Sequence, residues 1–157
     1  MKPNLKTEHD LEYSKTSKEL TSSLSKKEKK DNGIYFTPPS CVRKNIELLR
    51  KYLPGEIKEG FTILEPSCGS GEYIKALCED DTFTMSTITG VEINKTIFEA
   101  VKKLHDTNMN IRLFNSDFLK YSCDSTYNLI IGNPPYFVLK KEDVVPEYNK
   151  FYDGRPN

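Results

Sequence analysis

From Gly33 onward the chain alternates short apolar runs, bounded by turn residues, with amphipathic stretches of helical period. Few folds satisfy that alternation. Phe61–Leu64, Thr87–Val91, Ile111–Phe114 and Tyr127–Ile131 read as strands, rich in β-branched and aromatic residues. Between them lie helical patterns. Ser40 is placed to cap a helix with the apolar face Val42, Ile46, Leu49 and Leu53, ended by Pro54-Gly55. A second follows Gly71 with Ile74 and Leu77, and a third is capped by Asn94 with Ile97, Phe98, Val101 and Leu104 inward. Strands alternating with helices build parallel sheets through right-handed crossovers. The expected fold is α/β: a doubly wound, mostly parallel, Rossmann-like sheet, whose ligands bind at the carboxyl ends of the strands.

The segment before Gly33 is different. Residues 1–16 are polar and lysine-rich and read as a disordered tail, leaving 17–157 as the folded part. One helix is expected from Ser17 to Lys30, with Leu20 and Leu24 on one face. The run Lys26-Lys27-Glu28-Lys29-Lys30 suits a solvated helix end better than a phosphate contact, because cations favour helix C-termini. Asp31-Asn32-Gly33 then breaks the helix.

At 157 residues the chain has room for one domain, and 36% hydrophobic content sits below the usual ~45–50%. Lys plus Arg and Asp plus Glu are 23 each, so the basic surplus of an autonomous nucleic-acid binder is absent. Cys41, Cys68, Cys78 and Cys123 form no C-x-x-C pair or metal-ligand spacing. Reduced thiols in a cytosolic or nuclear setting follow. No metal is expected, and neither a secretory leader nor a membrane-spanning apolar run is visible.

The distinctive residues fall at strand ends. The first strand runs into Glu65-Pro66-Ser67-Cys68-Gly69-Ser70-Gly71, where Gly69 and Gly71 permit a tight turn and close approach of a ligand to the backbone. The third glycine of a dinucleotide fingerprint is missing, since Ile74 stands there. Glu92 ends the second strand 21 residues after Gly71, the spacing at which a carboxylate holds a ribose diol. The third strand ends in Asp117-Phe118, where Asp117 either accepts from an adenine amino group or caps a turn, and Phe118 offers a ring face. These three ends suit an adenosine, whether of NAD or of S-adenosylmethionine.

After the fourth strand, Gly132 leads into Asn133-Pro134-Pro135-Tyr136. Pro135 fixes its own φ and pushes Pro134 toward an extended form. Such a turn holds an amide, a free carbonyl and an aromatic ring in fixed relation. Asn133 and the Pro134 carbonyl each accept one hydrogen of a planar exocyclic amine, and Tyr136 stacks on its ring. An amine held so becomes a better nucleophile, able to attack a sulfonium methyl in line. This selects S-adenosylmethionine over NAD.

On these residues the chain resembles the gamma-class adenine-N6 DNA methyltransferases of restriction-modification systems and solitary methylases, from about Lys18 to Asn157. Gly33-Ile34-Tyr35-Phe36-Thr37-Pro38 looks like the family's segment over the methionine end of the cofactor, which gives Tyr35 and Thr37 a cofactor role. By the same resemblance Glu65, Pro66, Ser67, Cys68, Gly69 and Gly71 form the cofactor loop, and Glu92 with Ile93 holds ribose and flanks adenine. Asp117 and Phe118 form the adenine pocket. Asn133, Pro134, Pro135 and Tyr136 form the catalytic loop, with Asn133 and Pro135 also beside the cofactor. The partner implied is DNA, with its adenine flipped out.

Other amine and base chemistries fit less well. Cytosine-C5 enzymes need a Pro-Cys dipeptide, which is absent, and cytosine-N4 enzymes usually carry Ser where Asn133 stands. A Cys68–His105 nucleophile pair is disfavoured because Cys68 lies inside the turn and His105 on a helix. Protein-glutamine methyltransferases share the Asn-Pro-Pro-Tyr loop and usually lack the Tyr-Phe-Thr-Pro segment; RNA amines remain a further alternative. Relatives in the family continue past the equivalent of Asn157 and add a target-recognition domain. The expectation is therefore a fold truncated after its fourth strand, which becomes a sheet edge. A chain of that kind either needs a further half or specificity subunit, or binds cofactor without catalysing alone.

Overall fold

The computed structural model describes residues 12–31, 33–53, 55, 57–103, 108–122, 126–136 and 144–151. The expectations for residues 1–11, Asn32, Pro54, Leu104, His105, Cys123 and the last six residues lie outside those described. Five α-helices and four strands follow in the order α1 (Lys15–Ser23), α2 (Lys26–Asp31), α3 (Pro39–Tyr52), β1 (Thr62–Glu65), α4 (Glu72–Cys78), β2 (Thr87–Glu92), α5 (Lys95–Val101), β3 (Ile111–Asn115) and β4 (Leu129–Ile130). Single 3-10 segments span Phe118–Lys120 and Pro146–Phe151.

All pairings are parallel, and the strand order is β3-β2-β1-β4. The chain thus builds outward from β1 in one direction, then returns to β1's other side. That reversal is the mark of a doubly wound sheet and opens a crevice beside the carboxyl ends of β1 and β4. In β2 every residue after Thr87 is buried, as in parallel strands covered on both faces. In β3, at an edge, only Ile111 is fully buried. The other edge is β4, which pairs Leu129 with Ile63 and Ile130 with Leu64.

The main core joins Val42 and Ile46 of α3, Ile63 of β1, Ile74 and Leu77 of α4, and Ile88 of β2, with Val101 and Ile111 completing it. Leu49, Leu53, Leu113, Leu129 and Ile131 pack against this cluster half-buried. Each fully buried side chain of the cluster contributes about 1.5–3 kcal/mol by leaving water, and the half-buried ones less. A smaller cluster seats Leu20 and Leu24 on Ile97 of α5, with Ile34, Phe36 and Ala100 half-buried against them.

Several boundaries differ from expectation for identifiable reasons. The helix expected over Ser17–Lys30 is two helices. Leu24 is extended (φ −84°, ψ 128°), and Ser25 restarts the chain with a capping box. The Glu28 amide donates to Ser25 Oγ at 3.1 Å and the Ser25 amide to Glu28 Oε2 at 2.8 Å. The first helix also begins earlier, at Lys15, because the Ser14 side chain caps the Ser17 amide; Lys15 and Thr16 are therefore helix and not tail. Ser40 caps nothing. Helix α3 starts at Pro39, where a missing amide hydrogen costs nothing, and Pro38 occupies the cap position. Strand β4 is two residues long, yet the Asn128 and Ile131 amides still bond Thr62 and Leu64 carbonyls on β1 at 3.0 Å each. Among the described residues no helix is long and apolar enough to cross a membrane.

Gly90 lies where β2 carries the rest of the layer. A Cβ there would stand 2.7 Å from Leu113 Cδ2 and 2.8 Å from Ile74 Cδ1, closer than packed atoms tolerate. Gly90→Ala should lower unfolding free energy by about 1–3 kcal/mol through overpacking, read as a lowered urea midpoint at unchanged m-value.

Candidate functional site

The turn after β1 is built from two left-handed glycines. Gly69 has φ 51° and Gly71 φ 80°, both in the region that β-carbons disfavour. The turn is then held from several sides. Gly71 N–H bonds the Cys68 carbonyl at 2.8 Å, and the Cys68 amide bonds the Val91 carbonyl of β2 at 2.9 Å. The Gly69 amide donates to Glu92 Oε2 at 2.9 Å. The Phe36 ring lies on Gly69, 3.6 Å from where a Cβ would be. On the other side, Gly132 at the end of β4 comes so close to Pro66 that a Cβ on Gly132 would sit 3.3 Å from Pro66 Cδ. Sheet geometry thus brings the residues before Asn133 directly onto the turn.

An open cleft of about 260 Å³ results, lined by Tyr35, Thr37, Glu65, Ser67, Cys68, Gly69 and Asn133 among others. Three segments far apart in sequence meet here. Asn133 Nδ2 donates to Thr37 Oγ1 at 3.2 Å, which ties the Tyr35–Thr37 segment to the loop after β4. With the amide so oriented, the Asn133 side-chain oxygen is given no donor among the described residues. Pro134, Pro135 and Tyr136 stand outside the cleft lining and are exposed, Tyr136 at 83%.

Three carboxyls, of Glu65, Glu72 and Glu92, are buried beside the turn. Glu65, at the end of β1, is 2% exposed, and its Oε2 has no hydrogen-bond partner among the described residues. Burial pushes its carboxyl well above the ordinary carboxylate range, and nearby Glu92 pushes it further. Burial also raises Glu92, but the amides of Asn94, Gly69 and Ile93 favour its charged form and restrain the shift. Cys68 is buried beside Glu65 and Glu92, first burial and then their charges raising its thiol, so it has none of the character of an activated nucleophile.

The remaining expected residues lie along the carboxyl edge and not in the cleft. Glu92 Oε1 accepts from the Asn94 amide at 2.7 Å, so both its oxygens already serve the protein. Asn115 Nδ2 binds the carbonyls of Glu92 and Ile93, at 2.7 and 3.2 Å, and locks the ends of β2 and β3 together. Asp117 caps the 3-10 turn through Oδ1 to the Leu119 amide at 3.0 Å, and its Oδ2 accepts from the Tyr148 hydroxyl. Of its two sequence readings, the turn cap is the one present here. Ile93 is 66% exposed, and Phe118 stacks loosely on Tyr121 with centroids 6.4 Å apart.

Sequence reasoning missed Phe36, Ser70, Glu72 and Tyr73, which also line the cleft. Phe36 lay inside a recognised segment, and the first helical turn after a glycine-rich loop is a place to look for wall residues. Tyr148 carried no signal in the sequence, being 31 residues from the carboxylate it meets.

Comparison with known proteins places this arrangement. The family model described as N-6 DNA Methylase matches residues 18–157. Modification methylase CviBIII of Paramecium bursaria Chlorella virus NC1A is 31% identical over 146 residues, 93% of this chain and 36% of that protein. Type II methyltransferase M.CvrRI of Paramecium bursaria Chlorella virus XZ-6E is 38% identical over 119 residues, 76% of this chain and 28% of its own length. The chain thus spans 36% and 28% of the length of these two curated relatives. Among solved structures, a protein from Listeria monocytogenes described as a class I S-adenosylmethionine-dependent methyltransferase superposes with TM-score 0.65 at 17% identity, covering 88% of this chain and 40% of that one. The methyltransferase subunit of a type I restriction-modification system from Streptococcus thermophilus gives 0.53 at 23%, covering 65% and 23%. Those two likenesses bear on the fold, and the family follows from the sequence match: the chain belongs to the N-6 DNA methylase family.

Proposed function

We propose that this chain is the cofactor-holding and amine-holding portion of an adenine-N6 DNA methyltransferase, with S-adenosylmethionine as methyl donor. The observation that carries the proposal is the bond from Asn133 to Thr37 beside the Glu65–Gly71 turn. It leaves an amide oxygen at the mouth of a cleft whose floor is a glycine turn. The cleft suits the cofactor's charge as well. Glu65 lines it with an unpartnered, buried carboxyl oxygen, a site that a cationic group would satisfy.

In this proposal Tyr35, Thr37, Glu65, Pro66, Ser67, Cys68, Gly69 and Gly71 hold the methionine end. Glu92 takes the ribose through lone pairs its backbone bonds leave free. Ile93, Phe118 and Asp117 flank the adenine, with Asp117 Oδ2 shared between the adenine amino group and Tyr148. Bound S-adenosylmethionine supplies a methyl group on a sulfonium. Asn133 Oδ1 and the Pro134 carbonyl would accept the two hydrogens of the target amine, which frees its lone pair to take up the methyl group as the carbon–sulfur bond breaks, one amine proton then passing to solvent. Pro135 fixes that carbonyl beside the cofactor, and exposed Tyr136 offers a ring for a flipped base. Flipping costs a few kcal/mol, which must come from DNA contacts. With 23 basic and 23 acidic residues, the chain has no basic surplus for those contacts, so transfer by this chain alone should be slow and should accelerate when a further segment or specificity subunit supplies them.

A second reading has the chain bind cofactor and require that additional part for any transfer. It is favoured by the exposure of Pro134, Pro135 and Tyr136, which no described element covers.

Labelled S-adenosylmethionine with adenine-containing DNA separates the two. The proposal expects label in adenine, reduced about a hundredfold or more in Asn133→Ala. Label only when a longer relative's remaining segment is added supports the second reading. Label in protein glutamine or in RNA, with none in DNA, rejects the adenine assignment.

Glu65 gives a pH prediction. Burial favours the protonated form of its carboxyl in the free protein, whereas a bound cation favours the carboxylate. Binding should therefore release a proton, and affinity for S-adenosylmethionine should rise with pH until Glu65 ionises unaided. Calorimetry in two buffers of different ionisation enthalpy reads the release, and Glu65→Gln should abolish both the release and the pH dependence.

A further inference from the structure

Helix α1 is nine residues long and polar, too short to persist without tertiary contacts. Its apolar contact is one cluster, in which Leu20 of the helix and the Leu24 that follows it pack with Ile97, Ile34, Phe36 and Ala100. Its polar contact is unusual. Ser17 is completely buried, and its hydroxyl lies 2.6 Å from Ser70 Oγ and donates to Glu72 Oε1. The Ser14 amide donates to the same oxygen at 2.9 Å. Ser70 belongs to the glycine turn, Glu72 opens α4, and both line the cleft.

Glu72 is 8% exposed, and its carboxylate gains two donors from α1. A buried carboxylate deprived of donors would turn toward water, which at this position means into the cleft. Ser17 therefore acts on the cleft without facing it. We infer that Ser17 is a positioning residue for cofactor binding: through Glu72 and Ser70 it holds one wall of the cleft, so that α1 latches the turn after β1. The inference rests on the reading of the cleft as the S-adenosylmethionine site, and it makes the segment before Gly33 part of that site's machinery.

The test uses the full 157-residue chain with amide hydrogen exchange and equilibrium binding of S-adenosylmethionine. Ser17→Ala should speed exchange of the Ser70 and Gly71 amides about tenfold, leave Ile63 and Ile88 unchanged, and weaken S-adenosylmethionine binding by about the same factor. Glu72→Gln should do likewise, and the double variant should be no worse than either single one. Ile46→Val, which removes packing from the main core, should lower the unfolding midpoint without loosening the turn. The inference is overturned if Ser17→Ala leaves exchange and affinity within about twofold of wild type, or if Ile46→Val loosens the turn equally. Failure of the unaltered chain to bind S-adenosylmethionine would reject the donor reading instead, and the exchange data would still decide the role of Ser17.

Discussion

The bond from the Gly69 amide to the Glu92 carboxylate holds the turn after β1 against the end of β2, and the remaining geometry depends on it. A turn with two left-handed glycines has little stiffness of its own. Its shape comes from what grips it: Glu92 and Val91 from β2, the Phe36 ring from the segment before α3, and Gly132 from the end of β4. The parallel sheet makes these grips coincide. With order β3-β2-β1-β4, the ends of β2 and β4 both flank the end of β1, and residues 69, 92 and 132 must converge. The site is thus a consequence of strand order before it is a consequence of any one side chain.

Electrostatics follows from the same convergence. Three carboxyls, Glu65, Glu72 and Glu92, are buried beside one turn, and Glu72 is matched by Ser14 and Ser17. Glu92 is matched by backbone donors, while Glu65 keeps one oxygen unpartnered. An unmatched buried acid is costly to a resting fold, and such groups are more often found where a ligand completes them. The family assignment and this local imbalance therefore point the same way from independent sources, one evolutionary and one physical.

Much of this was legible in the sequence, and the reason is locality. The glycines of the turn, the acid ending β2 and the Asn-Pro-Pro-Tyr loop each advertise a backbone or hydrogen-bonding need within a few residues. Strand and helix faces such as Val42–Ile46 and Leu20–Leu24 were legible for the same reason. Helix ends were harder. Ser25 and Glu28 carry a capping-box signature that a continuous helical pattern obscured, and Ser40 looked like a cap although Pro38-Pro39 had already started the helix. The Ser17–Glu72 and Tyr148–Asp117 bonds were not legible at all. Their partners lie 55 and 31 residues away, and nothing in the neighbourhood of a single serine or tyrosine indicates such a contact.

The proposed ligand site joins the segments around residues 35–37, 65–71 and 133 at the end of β1. It can be probed by titrating the isotopically labelled chain with S-adenosylmethionine and following backbone amide chemical shifts. Saturable shifts should cluster at Thr37, Gly69, Ser70 and Asn133, with further shifts at Glu92 and Phe118. Shifts confined to surfaces remote from β1, or no saturable shift at all, would rule the site out.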